Sequence, residues 1–163
     1  MMEMYPENGN ILMMVNKNKI KGSQWERDAA KLLNENFPDV WRRNPGSGAL
    51  GTILELPILK GDVVGDYEFL PFDFIAEAKV GYGGSLMQIQ KVWFDKIKEQ
   101  ADENYSLPVV LLKFEKSKSG VRHVIAMDFE TWDKIMSYIE SMHEELLKLY
   151  EERQTKDEQG GTK

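Results

Sequence analysis

The stretch FDFIAEAKV, residues 72–80, decides the fold. Phe72, Phe74, Ala76, Ala78 and Val80 alternate with Asp73, Ile75, Glu77 and Lys79, the period-two pattern of a strand with two different faces. On one face two alanines leave room for a helix to pack closely. On the other, Glu77 and Lys79 project from the same side, two residues apart. A carboxylate beside an ammonium on so apolar a strand is ordinarily an edge ion pair. The neighbouring segments offer a second explanation.

Immediately upstream, DVV at 62–64, a turn at Gly65-Asp66 and the run to Val80 read as a β-hairpin whose second arm is long or bent at Pro71. Pairing across that turn could bring Asp62 beside Glu77, given slack or a bulge in the longer arm. Asp66, at the turn tip, and Asp73 compete with Asp62 for the same position. Further upstream, Ser23 reads as an N-cap with Glu26 three residues later, a capping box. The first helix then spans about Gln24 to Asn36, with Trp25, Ala29, Leu32 and Leu33 on one stripe and Pro38 ending it. Val40–Arg43 is a short strand, followed by the glycine-rich NPGSGALG at 44–51 and an extended insertion at 52–60.

Downstream, Gly81, Gly83 and Gly84 break the chain, and Ile89, Trp93 and Ile97 mark a second helix from about Leu86 to Glu103. VVLLKF, 109–114, is a continuous apolar run of the kind found in a central strand covered on both faces. KSKSG turns the chain into VRHVIAM, and Asp128 caps a long last helix. Its stripe is Trp132, Ile135, Met136, Ile139, Met142, Leu146, Leu149 and Tyr150, which implies packing on the core or in a dimer. The order α, β, β, β, α, β, β, α predicts an α/β fold with a central mixed sheet flanked by helices and an extra C-terminal helix. The organisation expected is an N-terminal extension at 1–16, a core domain at 17–127, the C-terminal helix at 128–153 and a disordered tail at 154–163.

Composition limits the chemistry. With 163 residues the chain can bury a core without staples, and with no cysteine it has no disulfide or thiolate metal site. Two histidines, His123 and His143, make a histidine-rich zinc site a poor prospect, and His123 reads as structural. No apolar run approaches the ~20 residues of a bilayer span, so a soluble, intracellular, cytoplasmic protein without a membrane partner is expected. The net charge of −6 is uneven. Residues 17–127 carry sixteen Lys/Arg against fifteen Asp/Glu, and residues 128–163 carry five against ten. The acidity lies at the ends, so a local DNA-binding face on the middle segment stays open.

Two carboxylates converging beside an ammonium suit a hard divalent cation, which takes oxygen ligands and activates water. The lysine could orient that water or stabilise charge on a phosphate. The series KGSQWERDAAKLL (21–33), WRRNPGSG (41–48), GDVVG (61–65) and FIAEAK (74–79) resembles the archaeal-type Holliday junction resolvases of the PD-(D/E)xK nuclease superfamily, over about residues 21–115. The proline of that motif is replaced here by Gly61, and the cysteine of the family's E-C-K by Ala78.

The resemblance implies a restriction-endonuclease-like αβββαβ core and Mg²⁺-dependent cleavage, with Mn²⁺ substituting. It implies a homodimer acting on branched DNA, four-way junctions above all. It makes Asp62 and Glu77 metal ligands together with the backbone carbonyl of Ala78, Lys79 the catalytic lysine, and Glu26 a carboxylate at the edge of the metal site. Ser47 would contact the scissile backbone, and Lys21, Arg27 and one of Arg42 or Arg43 would follow the DNA path. Duller readings stand beside these: Glu26 as a cap alone, Arg42-Arg43 as solvated surface, the GSG loop as a turn. Cleavage of ordinary duplex, and a non-catalytic DNA-binding module, remain the rival functions.

Overall fold

Ala76 and Ala78 govern how the first helix packs. A computed structural model describes residues 17–44, 61–81, 87–114 and 120–160, side chains of Lys17 and of 157–160 excepted. The elements are α1 (Lys17–Asn34), β1 (Trp41–Arg43), β2 (Val63–Gly65), β3 (Asp73–Gly81), α2 (Lys91–Asn104), β4 (Ser106–Phe114), β5 (His123–Ala126) and α3 (Phe129–Gly160). The five strands form one mixed sheet in the order β1-β2-β3-β4-β5. All neighbours are antiparallel except β3 and β4, whose parallel pairing is bridged by the crossover helix α2. The predicted α/β class and element order hold.

Each sheet face has its own core. Trp25, Ala29 and Ala30 of α1 pack on Ala76, Ala78, Val109 and Leu111, and the small side chains let the helix lie close. The Trp25 indole N–H donates to the Leu111 carbonyl at 3.1 Å, which fixes the depth of α1 on the sheet. On the opposite face, Ile97 and Ala101 of α2 cover Ile75, Val110 and Leu112. Burying each of the Ile, Val and Leu side chains contributes about 1.5–3 kcal/mol. β4 supplies both faces, as its unbroken apolar run requires.

Three boundaries differ from those read in the sequence. α1 starts at Lys17, not Gln24, because KNKIK contains no helix breaker and simply continues the helix backwards. Ser23 therefore lies inside the helix and caps nothing. α2 starts at Lys91, not Leu86: Gln90 is extended and makes no side-chain cap, and Ile89 is exposed. α3 runs to Gly160, past Arg153, so the stretch from Gln154 to Gly160 read as tail is helical; QTKDEQ offers no glycine or proline to stop it. Asp128 does cap α3, its carboxylate accepting the Thr131 backbone N–H at 2.8 Å. Residues 1–16, Ser47 with its GSG loop, the 52–60 insertion and the KSKS of the following turn lie outside the described residues.

Candidate active site

Strand alternation sorts the site from the core. Phe74, Ala76, Ala78 and Val80 face α1, so Ile75, Glu77 and Lys79 face α2. The β2–β3 register pairs Val63 with Ala76, and Asp62 extends that pairing through its N–H to the Ala76 carbonyl at 2.8 Å. Val63 and Asp62 thus both address Ala76, a bulge-like end to β2, and the Asp62 carboxylate lies close enough to Glu77 to feel its charge. The Asp62 carbonyl accepts the Asn44 N–H at 2.9 Å, tying the end of β1 to the same point.

The residue before Asp62 explains the missing proline. Gly61 has φ of 73°, a left-handed conformation that proline, fixed near −65°, cannot adopt. A Cβ there would sit 2.4 Å from Ile75 Cγ1. The Gly61 N–H, which a proline would lack, donates to Gln100 Oε1 of α2 at 3.0 Å. Glycine at 61 thus lets the chain turn tightly beneath α2 and deliver Asp62 to the sheet.

Glu77 is 3 % exposed, and both of its oxygens are held by ammonium groups. Lys79 Nζ donates to Oε1, and Lys96 Nζ donates to Oε2 at 2.8 Å. Lys79 Nζ also stands 5.7 Å from the centre of the Trp93 ring. Burial raises the Glu77 pKa, but the hydrogen bonds from Lys79 and Lys96 outweigh it and hold the group below the ordinary carboxylate range. Asp62 is the reverse. Burial, then the charge of Glu77, push it above that range, and Glu26 adds to the push against a weaker pull from the Ala78 N–H and Lys79.

Ala78 N–H donates to Asp62 Oδ2 at 2.9 Å. In an extended strand a residue's N–H and C=O point the same way, so the Ala78 carbonyl is aimed off the edge where Asp62 sits. Glu26 reaches this group from α1. Its Oε2 accepts Arg43 Nε at 2.7 Å, while Arg43 Nη2 donates to Ser23 Oγ at 2.7 Å. The capping box of Ser23 and Glu26 is thus overturned: both side chains serve Arg43, seventeen and twenty residues away in sequence. Arg42 remains exposed, as do Lys21 and Arg27, the last accepted by Gln24 Oε1 at 3.0 Å.

The competing acids lie elsewhere. Asp73 begins β3, and its carboxyl is raised by burial and then by the charge of Asp66, with which it also hydrogen-bonds. That pair stands at the other end of the strand from Lys79. His123 stacks on Trp25, ring centres 5.2 Å apart, in a structural contact. Lys96 and Gln100 were not singled out in the sequence. Their signal was there: they stand four apart on α2, flanking the buried Ile97 and Ala101, one helical turn from each other.

The donor set suits a hard cation. Asp62 and Glu77 offer carboxylate oxygens, and the negative charge crowded around Asp62 is relieved by any positive ion placed between them. Among the described residues no three histidine, cysteine or acidic side chains stand close enough to form a ready cage by themselves. Two carboxylates and one carbonyl leave the remaining positions to water, which is how Mg²⁺ is ordinarily held.

A mixed sheet with α1 on one face, α2 on the other and a carboxylate–lysine strand at its centre is the restriction-endonuclease-like arrangement, the fold class of the PD-(D/E)xK nucleases. Residues 17–160 match the family described as "Phage putative PDDEXK endonuclease", and the chain belongs to that family. No curated protein matches the chain. The family makes nuclease activity the chemistry and DNA the partner. Among the described residues no helix is long and apolar enough to cross a membrane.

Proposed function

We propose that the chain is a Mg²⁺-dependent, structure-selective endonuclease that resolves four-way DNA junctions, acting inside the cell as a homodimer with one site per copy. The observation that carries the reading is the meeting of Asp62 with Glu77 and Lys79 beside Ala78 of β3, with Asp62 crowded by negative charge. Asp62, Glu77 and the Ala78 carbonyl would hold the ion, with Mn²⁺ able to replace Mg²⁺. When bound, the ion supplies Lewis-acid activation of water and neutralises phosphate charge. Lys79 orients the attacking water or stabilises the phosphate, and Glu26 holds Arg43 at the edge of the site.

Junction selectivity rests on the ordered resemblance of about residues 21–115 to the archaeal-type resolvases. In that reading Ser47 positions the scissile backbone. Lys21, Arg27 and the exposed Arg42 contact phosphates along the arms, so affinity falls steeply with salt and depends little on sequence. Cleavage of ordinary duplex is the second reading, and the match to a phage endonuclease family, which carries no junction label, favours it. Strand-labelled linear, forked and four-way DNAs incubated with the protein and Mg²⁺ separate the two. Paired, symmetric cuts near the branch point support resolution. Equal cutting of plain duplex leaves only the nuclease, and binding without cutting any substrate leaves a non-catalytic module.

A further inference from the structure

The longest element of the fold leaves an apolar seam uncovered. α3 has 32 residues, about 48 Å at 1.5 Å per residue. Thr131 is its one buried side chain among the described residues. The helix touches the rest of the fold through Glu130, which accepts the Lys98 ammonium of α2, and through Tyr138, two turns further on. Tyr138 packs edge-on against Phe72 and donates its hydroxyl to the Phe69 carbonyl at 3.1 Å. The seam lies beside that contact line. Trp132, Ile135, Ile139, Met142, Leu146 and Leu149 follow one another at alternating steps of three and four, the spacing of a coiled-coil interface. Except for the half-buried Ile135, these side chains are between 40 and 56 % exposed.

The charges choose the occupant. The polar side of α3 is acidic, with Glu140, Glu144, Glu145, Glu151 and Glu152, which repels anionic lipid and nucleic acid alike. Arg153 and Lys156 continue the three–four repeat past Leu149. A parallel, in-register partner would set Arg153 against Arg153 and Lys156 against Lys156 within the seam. An antiparallel second copy instead stacks Trp132 on Leu149, Ile135 on Leu146 and Ile139 on Met142, each layer made twice by the two-fold axis. The same register brings Arg153 opposite Asp128, the acid at the start of α3, whose side chain is 33 % exposed beside Lys98. The helix dipoles then also oppose one another.

We propose that two copies of the chain associate through an antiparallel pair of α3 helices in this register. The pairing deepens the homodimer named above but rests on α3 alone. α3 touches the sheet next to the start of β3, through Phe69 and Phe72, whereas Glu77 and Lys79 lie towards its other end, so each copy keeps an open site.

The full chain has no cysteine, so single cysteines report contacts cleanly. Sedimentation of the 163-residue chain should give a dimer. Leu146→Glu should give a folded monomer with unchanged helical circular dichroism, and Arg153→Glu should weaken the dimer about tenfold. Under oxidation Trp132→Cys and Leu149→Cys should form a disulfide when mixed and none when alone. A monomeric parent, or a dimer indifferent to Leu146→Glu, would overturn the pairing; disulfides from each variant alone, with none joining one variant to the other in the mixture, would overturn its direction. Nuclease activity enters none of these measurements, so their failure and the failure of the junction reading are told apart.

Discussion

Asp62 and Glu77 are neighbours with opposite electrostatic histories. Burial and nearby negative charge hold Asp62 above 3.8, so its ionised form is a cost to the folded state at neutral pH. Asp62→Asn is expected to melt above the parent at pH 7. The gap should close as pH falls through the raised Asp62 value and vanish below 3.8, where the carboxyl is protonated folded and unfolded alike. Glu77 sits below 4.5 because Lys79 and Lys96 overcome its burial, so its ionised form stabilises the fold above 4.5 and that stability is lost as pH falls through the lowered value. Glu77→Gln should therefore melt below the parent at pH 7, by about 1–3 kcal/mol. Thermal melts in chelator across pH 3–8 read both signs at once; shifts in the same direction would contradict the lysine arrangement. Glu26→Gln keeps a hydrogen bond to Arg43 while losing charge at the site edge. It is expected to reduce activity roughly 10- to 100-fold while melting near the parent, and a fully active variant would return Glu26 to a structural part.

At the scale of elements, β3 and β4 were the most legible. Their alternation and continuous apolar run depend on which faces are covered, and that is written in residue type at each position. The alanines at 76 and 78 announced the close approach of α1. The capping box misled because S-x-x-E satisfies a local rule wherever it falls, while the partner that uses Ser23 and Glu26 is Arg43, far off in sequence. Lys96 is legible only in part: its spacing from Gln100 beside the buried Ile97 shows which side of α2 it stands on, but not that its ammonium reaches a buried carboxylate nineteen residues earlier. In the sequence Gly61 shows only as the place where the motif's proline is missing. Its positive φ and its contact with Ile75 show why glycine stands there. Gly61→Ala should destabilise the fold by about 1–3 kcal/mol and slow cleavage by displacing Asp62; a variant as stable as the parent in denaturant titration would mean that the turn can relax at no cost.

For the whole molecule, fold and charge answer different questions. The two-faced sheet with α1 and α2 is set by hydrophobic pattern, and the family match over residues 17–160 takes in α3 as well. The net charge of −6 hides a neutral middle and an acidic final helix, so a DNA-facing site and a self-associating helix can occupy one chain. What lies between them is the central claim, that Asp62, Glu77 and Lys79 form one metal-dependent cutting site. The direct measurement is cleavage of a strand-labelled four-way DNA by the parent, Asp62→Asn and Glu77→Gln in Mg²⁺, with binding followed in Ca²⁺. The parent should make paired cuts near the branch point, while both variants bind as tightly as the parent or tighter and cut nothing. Cleavage at the parental rate by either variant would contradict the account.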